Sequence, residues 1–95
     1  MKPIIEKLKT ALDSNGGKIP YEFITKQVEE AEVLYAQLTP NMRVCVITLE
    51  SGHEVIGVAQ VLDAANDVEE LGNSVALQNA TNELWKVFGS IAKAL

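Results

Sequence analysis

Residues 42–62 read MRVCVITLESGHEVIGVAQVL, two alternating apolar runs separated by Ser51-Gly52. Alternation of this length marks β-strands. A two-residue loop ending in glycine favours a tight hairpin, because glycine tolerates the positive φ of the primed turns. Read as Met42–Glu50 and His53–Leu62, the hairpin sets Glu50 opposite His53, Thr48 opposite Val55, and Ile47 opposite Ile56. Val46 then opposes Gly57, and Cys45 opposes Val58. One face carries Cys45, Ile47, Leu49, Ile56 and Val58; the other carries Val44, Val46, Thr48, Val55, Gly57 and Ala59. Both faces are largely apolar. A lone antiparallel sheet normally leaves one face polar and wet. Cover is therefore expected on both sides of this ribbon, either from helices of the chain alone or, the preferred reading, with a second copy in a homo-oligomer.

After the hairpin, Asp63-Ala64-Ala65-Asn66 leads into a long amphipathic run. Asn66 as N-cap with Glu69 three positions on forms a capping box, and Asp67, Glu69 and Glu70 suit the positive end of the helix dipole. Leu77, Ala80, Leu84, Phe88, Ile91 and Leu95 recur at steps of three and four, which makes one apolar stripe. Before the hairpin, Pro20 opens a helix with Phe23, Ile24 and Val28 on its buried side. Residues 29–38 suit either a continuation of that helix or a strand. A helix to about Glu30 followed by a strand is preferred, because Val33, Leu34 and Tyr35 favour extended backbone and Thr39-Pro40-Asn41 supplies a turn. At the start, Ile4, Ile5, Leu8, Ala11 and Leu12 fall at helical spacing, and Asn15-Gly16-Gly17 supplies the stop. The class predicted is α+β: a single domain over 1–95. A small antiparallel sheet of two to three strands, with its central hairpin at about 42–62, packs with N-terminal helices and a long C-terminal helix.

A chain of 95 residues buries only about 60–65% of its unfolded surface, so association is a cheap way to bury more. No apolar run approaches the roughly 18 residues of a membrane span. The first twelve residues hold three lysines but no continuous apolar core, so neither a signal peptide nor membrane attachment is expected. Up to Arg43 six basic and six acidic residues cancel; from Val44 onward two lysines face seven acids. That distribution argues against nucleic-acid polymers, which require clustered Lys and Arg. The single cysteine, Cys45, suits a reducing compartment and reads as a small core residue. His53, the one histidine, flanks the turn. No CxxC, HExxH, GxxxxGK or GxSxG pattern occurs, so no cofactor, no metal and no enzymatic activity are expected.

Beside the apolar stripe of the last helix runs an uncharged one of Gln78, Thr81, Asn82 and Trp85. Amides and hydroxyls can read the edge of a base, and an indole can stack on its face. Arg43, the only arginine, could add a bidentate phosphate contact from the sheet edge. These five residues form the candidate ligand site, against the alternative that Trp85 packs and the amides merely solvate the helix.

Several of these features together carry a resemblance. They are Cys45-Val46-Ile47-Thr48-Leu49, Ser51-Gly52, Val55 and Gly57, then Asp63, Asn66, Glu70, Leu71, Gly72, Ala76, Asn79, Ala80, Leu84, Trp85 and Gly89. With residues 20–28 they resemble the small tailed-phage accessory proteins known as the gp-forty-nine and gene-sixty-six family. That family often has an aromatic residue after the cap asparagine, where this chain has Asp67. The resemblance covers about two-thirds of the chain and leaves out residues 1–17. It implies a protein made in the cytoplasm of an infected bacterium and dispensable for building the virion, and it does not imply an enzyme. By analogy of size and setting it implies counter-defence: a homo-oligomer that sequesters a small anionic ligand such as a cyclic dinucleotide immune signal. The alternative is a module that docks on and inhibits a host enzyme.

Overall fold

The computed structural model describes residues 4–61 and 67–95. In chain order the elements are α1 (Ile4–Asp13), α2 (Tyr21–Glu30), β1 (Glu32–Thr39), β2 (Met42–Thr48), β3 (Glu54–Gln60) and α3 (Glu69–Ala94). The strands form one antiparallel sheet in the order β1-β2-β3. This is the expected α+β arrangement, with three strands.

Each helix stops for a local reason. After α1, Gly16 takes φ 64° and the Gly17 N–H donates to the Leu12 carbonyl at 2.8 Å. That is a Schellman closure, and it needs the left-handed residue that glycine supplies. Helix α2 opens on Pro20 and ends at Ala31, whose extended backbone runs straight into β1. Residues 32–39 are thus strand, as preferred above.

The hairpin differs from expectation by one residue. Gly52 adopts φ 91°, the Gly52 N–H donates to the Leu49 carbonyl at 2.8 Å, and the Leu49 N–H donates to His53 at 2.9 Å. This is a three-residue loop with glycine at its left-handed bulge position, not the two-residue primed turn. Pairing becomes Thr48 with Glu54, Ile47 with Val55, Val46 with Ile56, Cys45 with Gly57 and Val44 with Val58. A slip of one residue sends every β3 side chain to the other face. Val55, Gly57 and Ala59 therefore join Cys45 and Ile47, while Ile56 and Val58 join Val44, Val46 and Thr48. The second strand ends at Gln60, short of Leu62, which lies outside the described residues.

At 26 residues, α3 is about 39 Å long, whereas a seven-residue strand spans about 24 Å. Its first half lies over β3 and β2 through the small residues Gly72, Ala76 and Ala80, all buried. Gly57 meets them from the sheet: a β-carbon there would overlap the Ala76 carbonyl oxygen and the Ala80 backbone. The second half runs past the sheet, and its Leu84 and Phe88 join Leu8, Leu12 and Ile24 in the core. Phe23 meets Phe88 edge-on at 5.1 Å and 87°. Two helix expectations need correction. Leu95 is 53% exposed and drops out of the stripe. The helix starts at Glu69, with Val68 at the N-cap and no side-chain cap; Asn66 lies outside the described residues.

One sheet face is therefore covered and the other is open. Cys45, Ile47, Val55 and Ala59 are buried beneath the helices. On the opposite face Leu34, Ile56 and Val58 are 66%, 52% and 38% exposed and Val46 is half-buried, while Val44 on the same face is buried.

Candidate functional site

Arg43 lies on the helix-covered face of β2, between Gln37 and Ala59. Its Nε donates to Asp67 Oδ1 at 3.0 Å and its Nη2 donates to Oδ2 at 2.5 Å. Only 12% and 13% of the two side chains is exposed. The Arg43 stem passes beneath Gly72, where a β-carbon would stand 2.5 Å from Cδ. A glycine at that point of α3 leaves room for the Arg43 stem to pass. The hydrogen bond from Arg43 holds the Asp67 carboxyl below the usual carboxylate range, and the same contact raises the guanidinium. Arg43 is thus committed to a carboxylate rather than held out as a phosphate fork.

Around this pair lies a polar recess of about 200 Å³, lined by Tyr35, Ala36, Gln37, Arg43, Glu69 and Asn73. Burial pushes the Tyr35 phenol up, with the neighbouring Cys45 adding to the shift. Asn73 Oδ1 is buried and has no hydrogen-bond partner among the described residues. Burial also raises the Cys45 thiol, which is fully enclosed in the core. A thiol held in that state is a poor nucleophile.

Gln78 and Thr81 line a different groove, of about 290 Å³, between α2 and α3; Tyr21, Thr25 and Glu29 face them there. Their polar atoms are partly spent within the helix. Gln78 Nε2 donates to Asn82 Oδ1 at 3.1 Å, and Thr81 Oγ1 donates to the Leu77 carbonyl at 2.8 Å. Trp85 is half-buried and packs on the core. The helix thus brings Gln78, Thr81 and Asn82 together, while Arg43 belongs to the other recess. Asp67 is named in the sequence as a dipole acid and lies next in the structure to the one arginine. It could not be paired from spacing, because it stands 24 residues away.

Asn79 has no role that the sequence alone predicts. Its Nδ2 donates to the Val58 carbonyl at 2.8 Å, tying α3 to the outer edge of β3. The signal for this contact is the four-residue spacing Gly72, Ala76, Ala80, which fixes the helix face that lies on the sheet. Among the described residues no group of three His, Cys, Asp or Glu side chains is placed to hold a metal, and no helix is long and apolar enough to cross a membrane.

No curated protein and no solved structure matches the chain. The family model described as phage protein (N4 Gp49/phage Sf6 gene 66) matches residues 19–94, which takes in α2, the whole sheet and α3. With hairpin, helix and the Gly57–Ala76 contact all inside that span, the chain belongs to the N4 Gp49/phage Sf6 gene 66 family of phage proteins.

Proposed function

We propose that this is a non-catalytic phage accessory protein that acts against its host by docking on a host protein through the open sheet face. The observation that carries this reading is the exposure of Leu34, Ile56 and Val58 on a face left bare by the helices. Contiguous apolar surface of this kind marks an interaction site. Glu32 and Glu54 stand at one end of the same face and are exposed. The complementary partner therefore presents an apolar patch edged with Lys or Arg.

Sequestering a small anion draws less support. Arg43 is paired with Asp67, and the lysines of the α1–α2 groove sit near carboxylates: Lys7 at 3.8 Å from Glu50 and Lys26 at 3.9 Å from Glu30. The groove with Gln78 and Thr81 adds Glu29, which repels an anion. A homo-oligomeric sponge for a cyclic dinucleotide stays as the second reading on the strength of that groove's amide and hydroxyl lining.

The test compares wild-type protein with Ile56→Asp as baits in extract of the bacterial host. Ile56 is exposed, so the variant keeps the wild-type circular dichroism spectrum. Docking through the open face predicts a host protein retained by the wild type and by Asn82→Ala, and lost by Ile56→Asp. Cyclic di- and trinucleotides are screened by thermal shift in parallel; ligand at 100 times its dissociation constant adds about 2.7 kcal/mol. A nucleotide shift abolished by Asn82→Ala, with no Ile56-dependent capture, would reverse the two readings.

A further inference from the structure

We propose that a second copy of this chain pairs with the outer edge of β1, joining two three-stranded sheets into one of six strands about a two-fold axis. This interface uses the edge of the sheet, so it is independent of what docks on the open face.

The first observation is that the two sheet edges are treated differently. The outer edge of β3 is crossed by α3, and Asn79 donates to its Val58 carbonyl. Among the described residues no such contact guards the outer edge of β1. Its residues EVLYAQLT contain no lysine and no proline, and all but Val33 are exposed. Natural proteins blunt a long, apolar edge strand, because its unpaired N–H and C=O groups template another strand. Helix α3 packs chiefly on β3 and β2, so β1, apart from Val33, which packs against the core, stays exposed along its length.

The second observation is area. The chain exposes 6212 Å², whereas a folded monomer of 10.3 kDa exposes about 5,350 Å². The excess, roughly 860 Å², is close to the ~800 Å² that each partner contributes to a standard interface.

The register follows from the ladder. Hydrogen bonds at Asn41–Val61 and Leu49–His53 fix which residues of β2 point toward β3, since the pattern alternates along an antiparallel pair. Arg43, Cys45 and Ile47 face β3, so Leu34 and Ala36 bond to β2. Val33, Tyr35 and Gln37 then point their backbone groups outward. The pairing with β2 shifts register between Gln37 and Thr39, which leaves Glu32–Gln37 as the regular length of edge. Centring a two-fold axis on the outward-bonding residues Val33, Tyr35 and Gln37 pairs Tyr35 with the partner's Tyr35 and Val33 with the partner's Gln37. Leu34 then lies opposite the partner's Ala36. The two Glu32 carboxylates fall at opposite ends, about 20 Å apart, so like charges do not meet.

Light scattering on the eluting protein at tens of micromolar tests the state, with a mass twice the 10.3 kDa chain expected. Tyr35→Pro tests the edge. The Tyr35 N–H points away from β2, so proline removes no bond of the existing sheet yet blocks the new pairing; a one-chain mass with unchanged circular dichroism is expected. A double variant, Leu34→Cys with Ala36→Cys, decides the register even if the proline variant fails to fold. Opposed residues at such a non-hydrogen-bonded pair stand about 4.5 Å apart between α-carbons, within disulfide range. Mild oxidation should give a covalent dimer on a non-reducing gel. A one-chain mass for the wild type, or a two-chain mass with no covalent dimer from the cysteine variant, would overturn the proposal.

Discussion

Asp67 shows how one side chain decides what another can do. Its carboxylate takes both the Nε and Nη2 donors of Arg43 in the shelter of α3. The contact favours the ionised form, so the folded-state pKa of Asp67 lies below the ordinary carboxylate value. A depressed carboxyl stabilises the fold above the unfolded pKa of about 3.9. That contribution fades as pH falls through the lower, folded value. Asp67→Asn should therefore lower the melting temperature at neutral pH, and the gap from wild type should close in acid. Melts recorded across that range check it; a gap that stays constant into strong acid would mean that the charge of Asp67 contributes nothing. The sequence offered Arg43 as a phosphate contact because a lone arginine with no visible partner reads that way. What removed that option lies 24 residues along the chain, and only the packing of α3 on the sheet brings it near.

At the scale of elements, the decisive contact is the one between β3 and the first half of α3. A β-carbon on Gly57 would overlap backbone atoms of Ala76 and Ala80, so Gly57→Ala has no side chain to push aside and must lift the helix. The expected loss is about 3 kcal/mol or more in urea unfolding, the upper end of overpacking. Gly89→Ala is the control. Nothing lies within 4 Å of a β-carbon there, so helix propensity alone acts and should raise stability by about 1 kcal/mol. Equal effects at the two glycines would mean that the helix does not approach the sheet this closely. Element order and type were legible because the hairpin alternates and α3 has a helical stripe. The register was not. Ser51-Gly52 suits both a two-residue turn and a three-residue loop with glycine in the bulge, and the two put β3 side chains on opposite faces. The apolar stripe was likewise read from its large members, Leu77 to Leu95. The tightest contact is instead made by Gly72, Ala76 and Ala80, whose smallness is the signal.

Over the whole molecule the length of α3 sets the shape, 48 × 24 × 19 Å. The helix outruns the sheet, so the core has two ends: small residues against β3, and Leu84 with Phe88 against α1 and α2. Apolarity of both sheet faces was legible in the sequence. Which face stays bare was not, because it depends on the loop register and on where a 26-residue helix lies. The family match begins at residue 19 and leaves out α1, yet α1 places Leu8 at 0% exposure inside the same cluster as Ile47 and Ala80. If that cluster is one cooperative core, damage at α1 must be felt at the sheet. Leu8→Ala should cost about 2–5 kcal/mol, the range for a buried leucine that leaves a cavity. Urea unfolding followed by far-ultraviolet circular dichroism and by Trp85 fluorescence should shift by the same amount in both signals, as a single transition. Separate midpoints, with α1 lost early and Trp85 unmoved, would make the first helix an appendage to a core that residues 19–94 complete by themselves.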